Sequence, residues 1–283
     1  MSDIDIIFSV LFFILGAIIG SFLNVVIHRV PRKESTLPKS HCPECKTPIK
    51  PYDNVPILSW LLLKGKCRYC KKQIPIRYPF VEILTALLFT ISFWKIGFNL
   101  FLPVALLFIA ATIALIFIDA EHMLLPNVIT YPMLFFALVS RITFALIFEK
   151  SFFSDLNHFP STLMKDYPIW LASLTSAIFG AFVGGGFLWV VGKIWEILRK
   201  MEAMGLGDVK MMAAVGALLG WQLTLLAIFI GAFTGALVGI FVAQKHGTLQ
   251  AKIPFGVFLG FGSIVSLLFG EEIIKIYLKL AMP

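Results

Sequence analysis

The sequence predicts an all-α polytopic membrane protein, with about eight transmembrane helices and one small domain inserted after the first of them. Three observations carry this. Of 283 residues, 59% are hydrophobic and the mean hydropathy is +0.90, more apolar surface than a soluble chain of this length has use for. Only 14% of residues are charged, and they cluster between apolar runs. All four cysteines fall within one basic stretch.

A helix needs about 20 apolar residues to cross a bilayer. Such runs occur at residues 6–27, 79–98, 100–118, 128–148, 169–191, 223–242 and 254–269, and a shorter one at 209–221. Asp3 and Asp5 precede the first run, and His28, Arg29, Arg32 and Lys33 follow it. That charge order is opposite to a secretory signal, so the run reads as an anchor with its N-terminus outside. Residues 28–78 hold twelve Lys and Arg against three acids, which makes this loop cytoplasmic. Eight crossings then put residues 119–126, 193–208 and 244–253 on the same face, and 149–168 and the C-terminal tail outside. The formal charge of +8 belongs to these cytoplasmic loops. Aromatic and basic residues do not interleave as a single-strand binder requires, so no nucleic acid is expected as a partner. No inverted repeat of the transporter kind is visible. The chain therefore divides into an anchor (1–27), a cytoplasmic loop domain (28–78) and a multi-span core (79–283).

Cys42-Pro-Glu-Cys45 and Cys67-Arg-Tyr-Cys70 are two CxxC turns with 21 residues between them. Each offers two thiolates from a tight turn, and together they complete a tetrahedral four-sulfur site for zinc. Lys46, Lys64, Lys66, Arg68, Lys71 and Lys72 favour the thiolate form. A loop of about 50 residues is too small for a sufficient apolar core, and a closed zinc site would supply the missing folding energy. Four sulfurs leave no position for water, so the metal would be structural in a small zinc-ribbon-like cytoplasmic domain. Disulfides are disfavoured in the cytoplasm. His41, beside Cys42, is the one histidine placed to replace a cysteine.

Charges at the edge of a span need a reason. Asp119 closes the third span, in Ile118-Asp119-Ala120-Glu121, and Asp208 opens the short sixth segment, in Gly205-Leu206-Gly207-Asp208. One span runs inward and the other outward, so both acids lie at cytoplasmic ends. Counted from Val209, the sixth segment spans only about 20 Å. Either its helix begins earlier, near Met201, or its start lies within the membrane profile, where the Gly205-Leu206-Gly207 backbone needs water or protein partners. In that second case the glycines would admit an extended strand. Two carboxylates sharing one site cannot both ionise easily; one keeps a proton while the other activates a water, the chemistry of peptide hydrolysis. Each acid alone has a plainer reading: Asp119 as an end charge, Asp208 as a helix N-cap. An ion-coupled membrane transporter using the carboxylate pair is the alternative function.

Taken together, these residues resemble the type IV prepilin peptidase (leader peptidase/N-methyltransferase) family over nearly the whole chain. Gly20-Ser21-Phe22-Leu23-Asn24, Tyr52-Asp53-Asn54-Val55-Pro56, the two CxxC pairs and Arg77-Tyr78-Pro79-Phe80-Val81-Glu82 follow the family order. So do Asp119 with Leu125-Pro126-Asn127, Gly205-Leu206-Gly207-Asp208-Val209-Lys210, and Ile253-Pro254-Phe255-Gly256. Asn127 departs from the common Leu-Pro-Asp, away from the catalytic position. The resemblance implies an inner-membrane enzyme that cleaves prepilin or pseudopilin leaders on the cytoplasmic side with Asp119 and Asp208. It also implies N-methylation of the new terminus with S-adenosylmethionine. Gly65 is the candidate for that second activity, and reads equally as a turn glycine serving the second CxxC. Glu82 is either functional or a helix-start acid. Membrane lipids are the expected partners of the basic loop, and Glu121 is a candidate contact for a basic leader. Gly184-Gly185-Gly186 reads as a site of close helix packing. Arg141, inside a span, should face protein or water.

Overall fold

The computed structural model describes residues 3–37, 40–42, 44–148, 168–200, 204–246 and 253–281. Met201, His158 and most of the expected loops at 149–168 and 244–253 lie outside the described residues. The helices are α1 (Asp3–Arg29), the short α2 (Leu58–Leu62), α3 (Arg77–Ile96), α4 (Phe101–His122) and α5 (Asn127–Phe148). They continue as α6 (Ile169–Ala181), α7 (Phe187–Arg199), α8 (Leu206–Leu219), α9 (Trp221–His246) and α10 (Phe255–Ala281). A π-helical segment, Phe182–Gly186, joins α6 to α7 without a break. Among the described residues there are no strands, only two isolated antiparallel bridges in the cysteine loop. Among the described residues, seven helical stretches are long and apolar enough to cross a membrane, and the eighth predicted segment is the shorter α8. The chain forms two compact units, Met1–Ala114 and Leu115–Pro283.

In the first unit α1 and α3 lie in close contact. A Cβ on Gly16 would lie 2.6 Å from Ala86 Cα, and one on Gly20 would lie 2.7 Å from Glu82 Cα. Small residues four apart thus let two backbones meet, the usual way to gain dispersion energy between membrane helices. The contact is also specific: Asn24 Nδ2 on α1 donates to Tyr78 O, 3.0 Å away at the start of α3.

The second unit is built around α8. Its 14 residues span about 21 Å, short of a hydrocarbon core of about 30 Å. The helix survives there because protein surrounds it: α5, α6, the π segment, α7, α9 and α10 all contact it, and everything from Met211 to Leu219 except Ala213 is buried. Gly205 precedes it in an extended conformation (φ −72°, ψ 144°), so the helix begins at Leu206 and not near Met201. Its C-terminal end is met by Arg141 of α5, which donates from Nη1 to Leu218 O at 3.2 Å and from Nη2 to Ser176 Oγ at 3.1 Å. A guanidinium placed there satisfies a terminal carbonyl and opposes the negative end of the helix dipole. Gly184 and Gly185 face the backbone of α8 directly, as the packing reading of that triplet expects.

The tightest contact joins α6 to α8. A Cβ on Gly216 would collide with the Gly180 carbonyl oxygen, and one on Gly180 with the Gly216 carbonyl oxygen. Gly216→Ala should therefore overpack this seam and destabilise the protein by about 1–3 kcal/mol. Gly186→Ala, whose Cβ would meet only the Phe182 ring at 3.8 Å, should change stability by less than about 0.5 kcal/mol. Thermal melts of the two variants in detergent check this, and equal midpoints would contradict the packing account.

Candidate functional site

The cysteine loop forms two matched turns. Cys42 N donates to Thr47 O and Lys46 N to Cys42 O; in the second turn Cys67 N donates to Lys72 O and Lys71 N to Cys67 O. Lys46 (φ 57°) and Lys71 (φ 59°) occupy equivalent left-handed positions. The two turns bring the Sγ atoms of Cys42, Cys45, Cys67 and Cys70 within 4.8 Å of one another. Cys42 Sγ and Cys70 Sγ are 3.8 Å apart, too far for a disulfide at about 2.05 Å. That spacing fits the edge of a tetrahedron around zinc, where Zn–S is about 2.3 Å. Hydrogen bonds from the Thr47 side chain and backbone hold the Cys45 thiol down at about 6. At Cys70 a backbone hydrogen bond from Lys72 is outweighed by burial and the neighbouring sulfurs, and the thiol is pushed up to about 11. Four crowded thiols resist ionising together, and a divalent cation removes that conflict. His41 takes no part in the cluster.

Ion pairs brace the loop from outside. Lys72 meets Glu44 at 2.8 Å, linking the two turns. Arg68 grips Asp53 through Nε and Nη2, the shortest contact being 2.6 Å. These hydrogen bonds hold the Asp53 carboxyl below its ordinary value. The pair is therefore intact above the usual carboxylate range and is lost as the pH falls through the lowered value.

Between the loop and the facing ends of α1 and α3 lies a cavity of about 250 Å³, lined among others by Asn24, Trp60, Tyr78 and Glu82. Gly65 does not line it. Gly65 adopts φ +67°, and a Cβ there would lie 2.9 Å from Trp60 Cζ2. Its part is to seat the Trp60 indole, whose Nε1 donates to Ile74 O at 3.2 Å. Glu82 is 7% exposed and accepts the Ile57 N–H at 2.7 Å.

In the second unit, Asp119 sits in the last turn of α4 and Asp208 in the first turn of α8, at the third helical position and not at the cap. Both are buried, at 6% and 8% exposure. They meet at Gly256: a Cβ there would lie 2.8 Å from Asp119 Oδ2 and 3.0 Å from Asp208 Oδ1. The two oxygens can be no farther apart than the sum of those distances. Val257 N, in the first turn of α10, donates to Asp119 Oδ2 at 3.2 Å. Asp208 Oδ1 is buried and has no hydrogen-bond partner among the described residues.

Two features escape a reading of the sequence. The Val257 N–H is a backbone donor 138 residues from Asp119, and the only trace of it is a proline-led helix start in Pro254-Phe255-Gly256. Gly207 is not open to a substrate strand, because a Cβ there would lie 2.8 Å from Leu125 Cβ; Gly205 alone keeps an open flank beside Asp208. Asn127 accepts a hydrogen bond from Lys210 Nζ at 2.9 Å, which ties the Leu-Pro-Asn and Gly-x-Gly-Asp segments together. Glu121 lies 4.0 Å from His122 Nε2 and is solvent-accessible.

Comparison with known proteins places these motifs. Residues 14–96 match the bacterial peptidase A24 N-terminal domain, and residues 106–240 match the type IV leader peptidase family. A prepilin leader peptidase/N-methyltransferase of Pseudomonas aeruginosa is 35% identical over 95% of this chain and 92% of its own length. Proteins of the same description from Stutzerimonas stutzeri and Aeromonas salmonicida are 33% and 34% identical, each over 95% of this chain and 93% of their own length. No solved structure matches.

The four-sulfur geometry generates a test of its own. The purified chain should carry one zinc ion, and Cys67→Ser should release it and open residues 40–74 to limited proteolysis while the helical content holds. Elemental analysis and protease mapping check this; a metal-free chain with a protected loop would contradict it.

Proposed function

The chain belongs to the type IV leader peptidase family, and we propose that it cleaves prepilin or pseudopilin leaders at the cytoplasmic face of the inner membrane and then N-methylates the new terminus. The catalytic pair is Asp119 and Asp208. The observation that carries this reading is the meeting of two buried carboxylates, from helices far apart in the chain, at the same glycine. The ion-coupled transporter alternative finds no support in the relatives above.

The geometry supports a division of labour. A helix N-terminus donates to Asp119 through Val257, which suits Asp119 to remain the carboxylate of the pair. Asp119 takes a proton from a water, and the water oxygen attacks the scissile carbonyl carbon. Asp208, holding the shared proton, hydrogen-bonds the developing oxyanion. When the tetrahedral carbon collapses, the C–N bond breaks and the leaving amine takes the proton from Asp119. The two products are the leader's new carboxylate and the pilin's new N-terminus. The open side of Gly205 admits the extended chain at this point, and Glu121 offers a surface acid to a basic leader.

The loop domain (28–78) holds a structural zinc through Cys42, Cys45, Cys67 and Cys70, in place of the apolar core it lacks. Its lysines face anionic lipid headgroups. S-adenosylmethionine supplies the methyl group for the second reaction, and Gly65 serves that reaction. The positive-inside distribution puts this loop and both aspartates on the cytoplasmic side.

Asp119→Asn and Asp208→Asn should each lower leader cleavage by at least about 100-fold, measured on a prepilin in detergent. Near-native cleavage by either variant would defeat the assignment. Gly256→Ala, which pushes a methyl group against both carboxylates, should cost about 10- to 100-fold in kcat with the metal content unchanged. Full activity in that variant would mean the two acids do not meet there.

A further inference from the structure

We propose that the cavity in the first unit is the methyl-donor site, with Glu82 as counter-charge to the cationic end of S-adenosylmethionine and Trp60 as its aromatic wall. The inference rests on the methyl-transfer reading above and assigns it a place. Two independent observations carry it. Glu82 is buried, its hydrogen-bond partners are the neutral donors Ile57 N–H and Ser21 O–H, and no Lys, Arg or His among the described residues pairs with it. A buried carboxylate without a protein counter-ion is costly, and a ligand bearing a fixed positive charge relieves that cost. S-adenosylmethionine carries such a charge on its sulfonium and a second on its ammonium.

Asn24 is the other. It is 2% exposed; its Nδ2 donates to Gly20 O and Tyr78 O, which fixes the orientation of the amide. Its Oδ1 is buried and has no hydrogen-bond partner among the described residues, and Asn24 lines the same cavity. An acceptor held in that state awaits a ligand N–H or O–H. Ile57, also on the cavity wall, adopts φ +64°, an unfavourable conformation for a β-branched residue, and its N–H is held by Glu82. Strain of this kind gathers where a ligand must be gripped. Trp60 adds a π face that a cation favours.

Gly65 gains a physical role from this arrangement. It is a positioning residue: only a residue without Cβ, at φ +67°, leaves room for the indole of Trp60. Its effect on methyl transfer passes through that ring.

The test is calorimetric binding of S-adenosylmethionine and of S-adenosylhomocysteine, which lacks the sulfonium charge, to the purified zinc-loaded chain in detergent. The unaltered chain should prefer the charged ligand. Glu82→Gln should weaken S-adenosylmethionine at least 10-fold and narrow that preference, and Gly65→Ala should weaken both ligands. Val55→Trp, at a solvent-exposed position on the cavity wall, should block both. Photo-crosslinking of labelled S-adenosylmethionine to the unaltered chain should map within residues 21–82, a readout that needs no variant to fold. Crosslinks elsewhere, or Glu82→Gln binding as tightly as the unaltered chain, would overturn the site while leaving methyl transfer standing. If the unaltered chain binds no S-adenosylmethionine, the methyl-transfer reading fails and this site with it.

Discussion

The second unit depends on one constraint: α8 is too short to stand alone in a bilayer and must be enclosed by protein along most of its length. Fourteen residues cannot reach across the hydrocarbon, and the exposed backbone at the helix start would be intolerable facing lipid. Enclosure solves this and fixes Asp208 as a consequence. Glycine contacts from α6 and the π segment lock the helix laterally, Leu125 covers Gly207, and the Arg141 guanidinium closes the far end. A carboxylate on the first turn of such a helix has little freedom of depth or direction. Pre-organisation of this kind is what an acid–base pair needs, since a small misplacement is costly in rate.

The first unit meets a similar demand by other means. Gly16 and Gly20 bring α1 against α3, and so bring Asn24 beside Tyr78 and Ser21 beside Glu82. Two sequence motifs some 60 residues apart are thus two sides of one seam. The loop between them has little apolar core and is organised by four sulfurs, an Arg–Asp fork and a tryptophan seated on a glycine.

Much of this was legible in advance, and the parts that were not share a cause. Span positions follow from hydropathy, because the bilayer imposes a length. The CxxC pairs announce a four-cysteine cluster, because their sulfurs sit in local turns. The aspartates were visible because a charge at a span edge is expensive. Contacts made by backbone atoms leave almost no trace in a sequence. The Val257 N–H on Asp119, the Leu218 carbonyl on Arg141 and the Leu125 side chain against Gly207 belong to that class. The apolar run ending at residue 191 also understated its helix, which continues as α7 to Arg199; there Lys193, Glu196 and Arg199 share the surface with Trp195 and Ile197, and average hydropathy hides the helical period.

The central claim is that Asp119 and Asp208 hold one water between them. The most direct measurement is an experimental structure of the chain with a substrate peptide whose scissile amide is replaced by a hydroxyethylene group, a stable mimic of the tetrahedral carbon. The account predicts that this hydroxyl lies within hydrogen-bonding distance of one oxygen from each aspartate, with Val257 N still donating to Asp119. A hydroxyl engaged by only one of the two, with the other carboxylate turned to a separate cavity, would contradict it.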